Sequence, residues 1–151
     1  VLLSAGCAPA YIRRCVDEVT AGSERTAKPA KGSVAGLIAA SVSDDPREAI
    51  DATKTFLAYI FRNKHHAENL RLGGGSVDQE QLADAIGRRA WDDAKGLISD
   101  EVVHSHSVTG TPAECRQHVE EFVESGLDLP LLMPLGTQER RKDVVKIARE
   151  S

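Results

Sequence analysis

The sequence has no surplus of positive charge: 19 Lys and Arg stand against 23 Asp and Glu, a formal net charge of -4. That leaves no electrostatic footprint for nucleic acid or an anionic membrane as partner. It has no apolar run approaching the roughly 18 residues of a spanning helix, and residues 1–10 lack the basic leader of a secretory signal, so a cytoplasmic protein without a membrane partner is expected. Cysteine is scarce. Cys7, Cys15 and Cys115 are odd in number and lack metal-ligand spacing, so no disulfide framework is built and reduced thiols are expected. An initiator methionine is missing as well. The chain starts V-L-L-S-A-G, a buried-strand pattern with no turn or cap before it. Natural domains rarely begin inside a core strand, so the chain is expected to be a fragment lacking an amino-terminal part.

What is present is the composition of a globular domain, 41% hydrophobic and 28% charged over 151 residues, enough for a single unit spanning 1–151 with a sizeable core. The most informative stretch is residues 102–136, VVHSHSVTGTPAECRQHVEEFVESGLDLPLLMPLG. Val102, Val103 and Val108 bracket an expected strand. Thr111 supplies an N-cap oxygen, Pro112 takes the first helical position and Glu114 closes a capping box. Cys115, Val119, Phe122 and Val123 recur at helical spacing, Gly126 stops the helix, and residues 129–135 form an apolar run suited to a strand buried on both faces. A βαβ unit is the reading.

The remainder repeats the theme. A strand at residues 1–3 leads through Ser4–Ala8 to a helix opened by Pro9, with Ile12, Val16 and Val19 on one face and Gly22 as its end. Residues 23–32 read as a polar loop and residues 34–42 as a second strand. Asp45, Pro46 and Glu48 then cap a helix that buries Ala49, Ile50, Thr53, Leu57 and Ile60. Residues 64–78 read as a polar, glycine-rich loop and residues 79–99 as one helix with Leu82, Ile86, Ala90, Leu97 and Ile98 on its buried side. Thr137 opens a last helix. Strands alternating with helices imply a parallel sheet. Four βα units are half of a (β/α)8 barrel, which needs about 250 residues. The expected fold class is therefore α/β, the carboxy-terminal half of a TIM-like barrel, with a loop-helix insertion at about residues 64–99 before the third strand. A small open doubly wound sheet is the competing architecture.

In either architecture ligands sit at the carboxyl ends of parallel strands. Ser4, Gly6, Cys7 and Ala8 form a small-residue turn before a helix, where backbone N–H groups and a hydroxyl suit an anion; a plain tight turn fits the pattern equally well. Cys7 beside a helix start is placed for a lowered pKa, although a lone thiol is more often structural. His104 and His106, read as alternating along the third strand, would share a face and line the barrel mouth as substrate-pocket candidates, against a plain strand-end role. No metal site is assigned. His65 and His66 read as solvated, and Trp91 as packing.

The order of units, the phrase VLLSAGCAPAYIRRCVDEV and the later Gly110-Thr111-Pro112-Ala113-Glu114, Ser125-Gly126-Leu127-Asp128 and Pro134-Leu135-Gly136 resemble the carboxy-terminal half of the bacterial luciferase-like monooxygenase superfamily, in the branch of the deazaflavin-dependent methylenetetrahydromethanopterin reductases. The resemblance implies a flavin-type oxidoreductase, monooxygenase or reductase, acting on a small molecule with FMN or 8-hydroxy-5-deazaflavin (coenzyme F420). It implies that the turn after the fifth barrel strand, here Ser4, Gly6, Cys7 and Ala8, helps hold the cofactor phosphate, and that the insertion shapes the substrate pocket. Catalytic residues are expected in the half not represented, so none is named and the fragment alone is expected to be inactive. A homo-oligomer is compatible with it. The alternatives are a non-catalytic half-barrel interaction module and a phosphate-binding barrel enzyme without flavin.

Overall fold

The computed structural model describes residues 1–25 and 33–150. The expected loop at residues 23–32 falls largely outside them, and its first three residues are helical: α1 spans Pro9–Arg25, so Gly22 lies within the helix. Among the described residues there are four parallel strands, β1 (Leu2–Leu3), β2 (Ala35–Val42), β3 (Val108–Gly110) and β4 (Leu129–Pro134). β2 is their centre. β4 pairs with it from Ala35 to Ala40, β1 at Ala35 and Gly36, and β3 from Ala40 to Val42. Because β4 shares residues with both of the others, β1 and β3 must lie end to end along the opposite edge.

That register corrects the expected βαβ unit of residues 102–136. β3 and β4 are joined by helix α7 (Pro112–Glu124) but are not neighbours; β2 runs between them. β3 is a three-residue strip beside the carboxyl end of β2, and the step that crosses the sheet is from β2 to β4.

Side chains alternate along β2. Val34, Ile38, Ala40 and Val42 pack in one cluster with Ile12 of α1, Cys115, Val119 and Phe122 of α7, and Val144 and Ile147 of α8 (Gln138–Glu150). The opposite face holds Ala39 and Ser41, both fully buried. Thr109, paired with Ser41 in register, meets Thr53 of α2 (Pro46–Phe61) across 2.8 Å. Helix α2 therefore covers this second face at its carboxyl end. Its own core partners lie elsewhere: Leu57, Ala58 and Phe61 pack with Leu70, Leu82, Ala85, Ala94, Ile98, Val102 and Val103 in a separate cluster. The helices α3 (Ala67–Leu72), α4 (Gln79–Gly87), α5 (Trp91–Gly96) and α6 (Asp100–His106) supply those residues, except Ile98, which lies in the turn between α5 and α6. The helical insertion thus begins at Pro46 and runs to the threshold of β3, wider than the expected residues 64–99.

Caps account for the boundaries. Asp45 accepts from the Arg47 N–H with Pro46 behind it, Asp78 accepts from Glu80 and Gln81, and Thr111 and Glu114 form the expected reciprocal box. The polar stretch expected as a loop over residues 64–78 is one only from residue 73: a 3-10 turn at Lys64–His66 runs into α3, which ends at Leu72. The single helix expected over residues 79–99 is two. Arg88 ends α4, Arg89 turns into the left-handed region at φ 59°, and α5 restarts at Trp91. β4 is not buried on both faces; Leu129 and Leu131 remain 50% and 38% exposed.

Candidate functional site

All four strands point their carboxyl ends the same way, toward one rim, and the first turn to leave a strand in that direction is residues 4–8, which follows the Leu3–Gly36 pair. Ser4 is exposed, whereas Gly6, Cys7 and Ala8 are buried. Gly6 holds φ +83°, a conformation that disfavours any side chain, and faces Ile60, Phe61 and Leu57 of α2. The turn is gripped from the insertion by Asn69, itself 2% exposed. The Asn69 Nδ2 donates to the Gly6 carbonyl at 2.6 Å, and the Ala8 N–H donates to Asn69 Oδ1 at 2.9 Å. With the Ala8 amide committed, the turn's remaining donors are the exposed Ser4 hydroxyl, which also bonds with the Cys7 thiol, and the amides ahead of Ala8. Ala8, the residue before Pro9, has no side-chain oxygen to cap α1, and the first turn of α1 carries no carboxylate. An anion seated there meets no carboxylate from the first turn of that helix.

Cys7 is not an activated thiol. Burial pushes its pKa up to about 11, against which a hydrogen bond with Ser4 pulls only weakly, so the thiol stays protonated. Its side chain belongs to the core between sheet and helices.

The two histidines are parted. They lie on α6, not on a strand, because Ser99 caps that helix through the Val102 N–H and Asp100 and Glu101 occupy its first turn. Two residues on a helix differ by about 200° in direction. His104 is exposed and meets His118 of α7 edge to face, 5.8 Å between ring centres. His106 is fully buried against Phe61 at 5.0 Å. Its Nδ1 lies 3.0 Å from the Val102 carbonyl. Its Nε2 has no partner of hydrogen-bonding geometry, although the Asn69 backbone lies near enough to favour the charged form slightly. Burial is the larger effect and holds His106 below its ordinary pKa. The two imidazoles cannot line one pocket together; His106 instead packs under the first turn, through Gly73 and Ala8.

On the other side of the rim, Glu48 at the start of α2 accepts from Ser43 and pairs with Arg140 of α8. A shallow depression of about 440 Å³ lies beside this pair, lined by Arg47, Glu48, Asp51, Ala52 and Arg140. A more apolar groove of about 460 Å³, between Val119, Val123, Pro130, Leu132 and Ala148, opens at the amino end of β4 on the helical side and is remote from the rim. Among the described residues no group of three or more His, Cys, Asp or Glu is arranged to hold a metal ion, and no helix is long and apolar enough to cross a membrane.

Residues 1–129 match the family model described as luciferase-like monooxygenase. The chain belongs to this family. It is similar to the 5,10-methylenetetrahydromethanopterin reductase of Methanopyrus kandleri, 28% identical over 109 residues, which are 72% of this chain and 31% of that protein. Among solved structures, the coenzyme F420-dependent tetrahydromethanopterin reductase from Methanopyrus kandleri superimposes with a TM-score of 0.80 at 24% identity, over 99% of this chain and 43% of that one. An F420-dependent secondary alcohol dehydrogenase in complex with an F420-acetone adduct gives a TM-score of 0.61 at 18% identity, over 88% and 36%. The chain spans less than half the length of each. Its fold is accordingly the α/β architecture of a partial TIM-like barrel, with β1, β2 and β4 as consecutive wall strands and α2 to α6 as an insertion over their carboxyl ends. Asn69 escaped sequence reasoning because its segment read as loop. The Glu68 to Arg71 spacing, an i,i+3 ion pair in the structure, was the available signal for helix there.

Proposed function

We propose that this chain forms the distal, cofactor-facing half of a coenzyme F420-dependent oxidoreductase that reduces or oxidises a small-molecule substrate. The observation that carries the reading is the 0.80 superposition on an F420-dependent reductase across 99% of the chain, together with family membership. A deazaflavin is favoured over FMN because both of these solved relatives use F420, and a reductase or dehydrogenase over a monooxygenase for the same reason. The residues present suit the group's anionic portion. Ser4 offers an exposed hydroxyl, Gly6 and Cys7 offer backbone amides, and the uncapped start of α1 adds its partial positive charge without a competing carboxylate. When bound, the deazaflavin ring would supply hydride transfer.

This chain's residues would bind and orient. The turn of Ser4, Gly6, Cys7 and Ala8 fixes the phosphate, and α2 with the helices behind it covers the rim and limits water access. His106 serves as packing beneath that turn, and His104 stays outside. The free state of Cys7, Cys15 and Cys115 accords with a reducing, cytoplasmic location.

The test is a titration of the intact protein with F420 and, separately, with FMN, followed by absorbance and fluorescence. Saturable binding of F420, weakened at least several-fold by Ser4→Ala combined with Gly6→Val, is the expected outcome. No saturable change with F420 would refute the reading; saturation by FMN alone would move the protein to the flavin branch.

A further inference from the structure

We infer that Asn69 is a positioning residue that aims the backbone of the cofactor turn, so that the insertion sets the direction of the Cys7 N–H donor. The inference rests on the F420 reading of the turn and goes beyond it in assigning a residue of the insertion to that site.

The geometry is specific. Asn69 lies 61 to 63 residues along the chain from the groups it holds, and spends both ends of its amide on the two sides of one residue. The orientation of that amide is unambiguous, because the Ala8 N–H can only donate and the Gly6 carbonyl can only accept. A peptide unit is planar and trans, so its N–H points opposite to its C=O. With the Gly6 carbonyl turned onto Asn69, the Cys7 N–H of the same peptide is turned away from the insertion. With the Ala8 N–H also held, the Cys7 carbonyl is turned away too, and both peptide planes flanking Cys7 are fixed. Gly6 allows this only because it adopts φ +83°.

No other side-chain type of this size does the same. Aspartate keeps an acceptor for Ala8 but sets a second oxygen against the Gly6 carbonyl, and leucine fills the space and satisfies neither group. The surroundings hold Asn69 itself in place. It follows Glu68, which pairs with Arg14 of α1 and Arg71, and it precedes Gly73, against which His106 and Ala8 close. The insertion thus meets the turn at a hydrogen-bonding point and a packing point, and the hydrogen-bonding point controls donor direction.

The experiment compares the intact wild-type protein with Asn69→Asp, Asn69→Leu and, as a control that weakens the insertion away from the turn, Leu82→Ala. Two quantities are read: the Kd for F420 by fluorescence, and the hydrogen-exchange protection of the Ala8 amide without cofactor. Losing a buried hydrogen bond to the turn should raise the Kd about ten-fold or more in both Asn69 variants, with kcat at saturating F420 changing much less. Leu82→Ala should stay within about two-fold even where its melting temperature falls as far. Ala8 protection should drop in Asn69→Leu and persist in Leu82→Ala. Should the leucine variant not fold, the near-isosteric aspartate variant carries the comparison. An unchanged Kd in the Asn69 variants, or an equal rise in Leu82→Ala, would overturn the inference. If wild type does not bind F420 at all, the functional reading fails, and the clamp is judged on Ala8 protection alone: unchanged protection in Asn69→Leu overturns it as well.

Discussion

Replacing Gly73 with alanine tests whether the insertion and the first βα turn are packed as one body. Gly73 has an ordinary φ of -74°, so the backbone gives alanine no penalty. At a position without neighbours the change would stabilise by about 0.4–1 kcal/mol through the unfolded chain. Here the added Cβ would fall 2.5 Å from His106 Cε1, 2.7 Å from its Nε2 and 3.0 Å from the Ala8 Cβ. His106 cannot swing aside, being fully buried, stacked edge-on to Phe61 and tied to the Val102 carbonyl. Overpacking of this kind costs about 1–3 kcal/mol, which exceeds the backbone gain, so the net effect should be a loss of roughly 1–2 kcal/mol. In a domain of this size that lowers Tm by about 2–8 °C. Urea melts at constant m-value, supported by thermal melts, read it directly. The double variant Gly73→Ala with His106→Ala should lose less than the sum of the singles, because the second change vacates the space the first needs. Equal or increased stability in Gly73→Ala, or strict additivity in the pair, would refute the close approach of insertion and turn.

Acid should destabilise the protein in two stages. His66, His106 and His118 are held below the ordinary value of 6.5 chiefly by burial; below that value the unfolded chain binds protons the folded chain refuses, so stability is full above about pH 7 and declines as pH falls toward the lowered folded values. His106→Leu should flatten part of this limb in a Tm-against-pH series. A second limb follows below about pH 4.5, where Glu68, held at about 2 by its hydrogen bond from Arg71, and Glu114, lowered by the Thr111 backbone, lose their partners as they protonate. The Glu68 part should shrink in high salt. Thiol labelling at pH 8 followed by peptide mapping should modify Cys15, which is partly exposed, well before Cys7 and Cys115, whose thiols burial pushes up to about 11 and about 12; rapid labelling of Cys7 in the folded protein would contradict its place in the core. Thr111→Ala should cost about 1 kcal/mol by opening the capping box of α7, read as a lowered urea midpoint.

Where local chemistry determines structure, the sequence was readable. Asp45-Pro46 and Thr111-Pro112 with Glu114 announced α2 and α7, and both caps are made with the expected partners. Gly126, at φ +102°, ends the turn after α7. The misplacement of the two histidines has one cause, the competition between a period of two and a helical cap. V-V-H-S-H alternates like a strand, but Ser99 with Asp100 and Glu101 behind it is a helix start, and the cap prevails because Val102 and Val103 find a buried face on α6. That single misreading moved His104 and His106 from a shared face to opposite sides of a helix. The clamp at Asn69 was not legible, since its partners are backbone atoms more than sixty residues away and leave no trace in the composition of either segment.

The two faces of the sheet explain why a chain with this composition also carries an exposed apolar surface. The face built from Ile38, Ala40 and Val42 is closed by three helices. Among the described residues the other is closed only at its carboxyl end, where α2 brings Thr53 onto Thr109 and the hydroxyl of Ser107 lies 2.9 Å from that of Thr109. Toward the amino end the same face presents Leu2, Leu129 and Leu131, with exposures of 68%, 50% and 38%, in register around Ala35 and Leu37. Leaving a leucine in water forgoes about 1.5–3 kcal/mol relative to full burial, so three on one strip are a sizeable local deficit. The inward face of a parallel barrel is filled by such branched side chains stacked in layers. An apolar strip of leucines below a buried, hydroxyl-lined carboxyl end is therefore what one wall of such a barrel turns toward its interior.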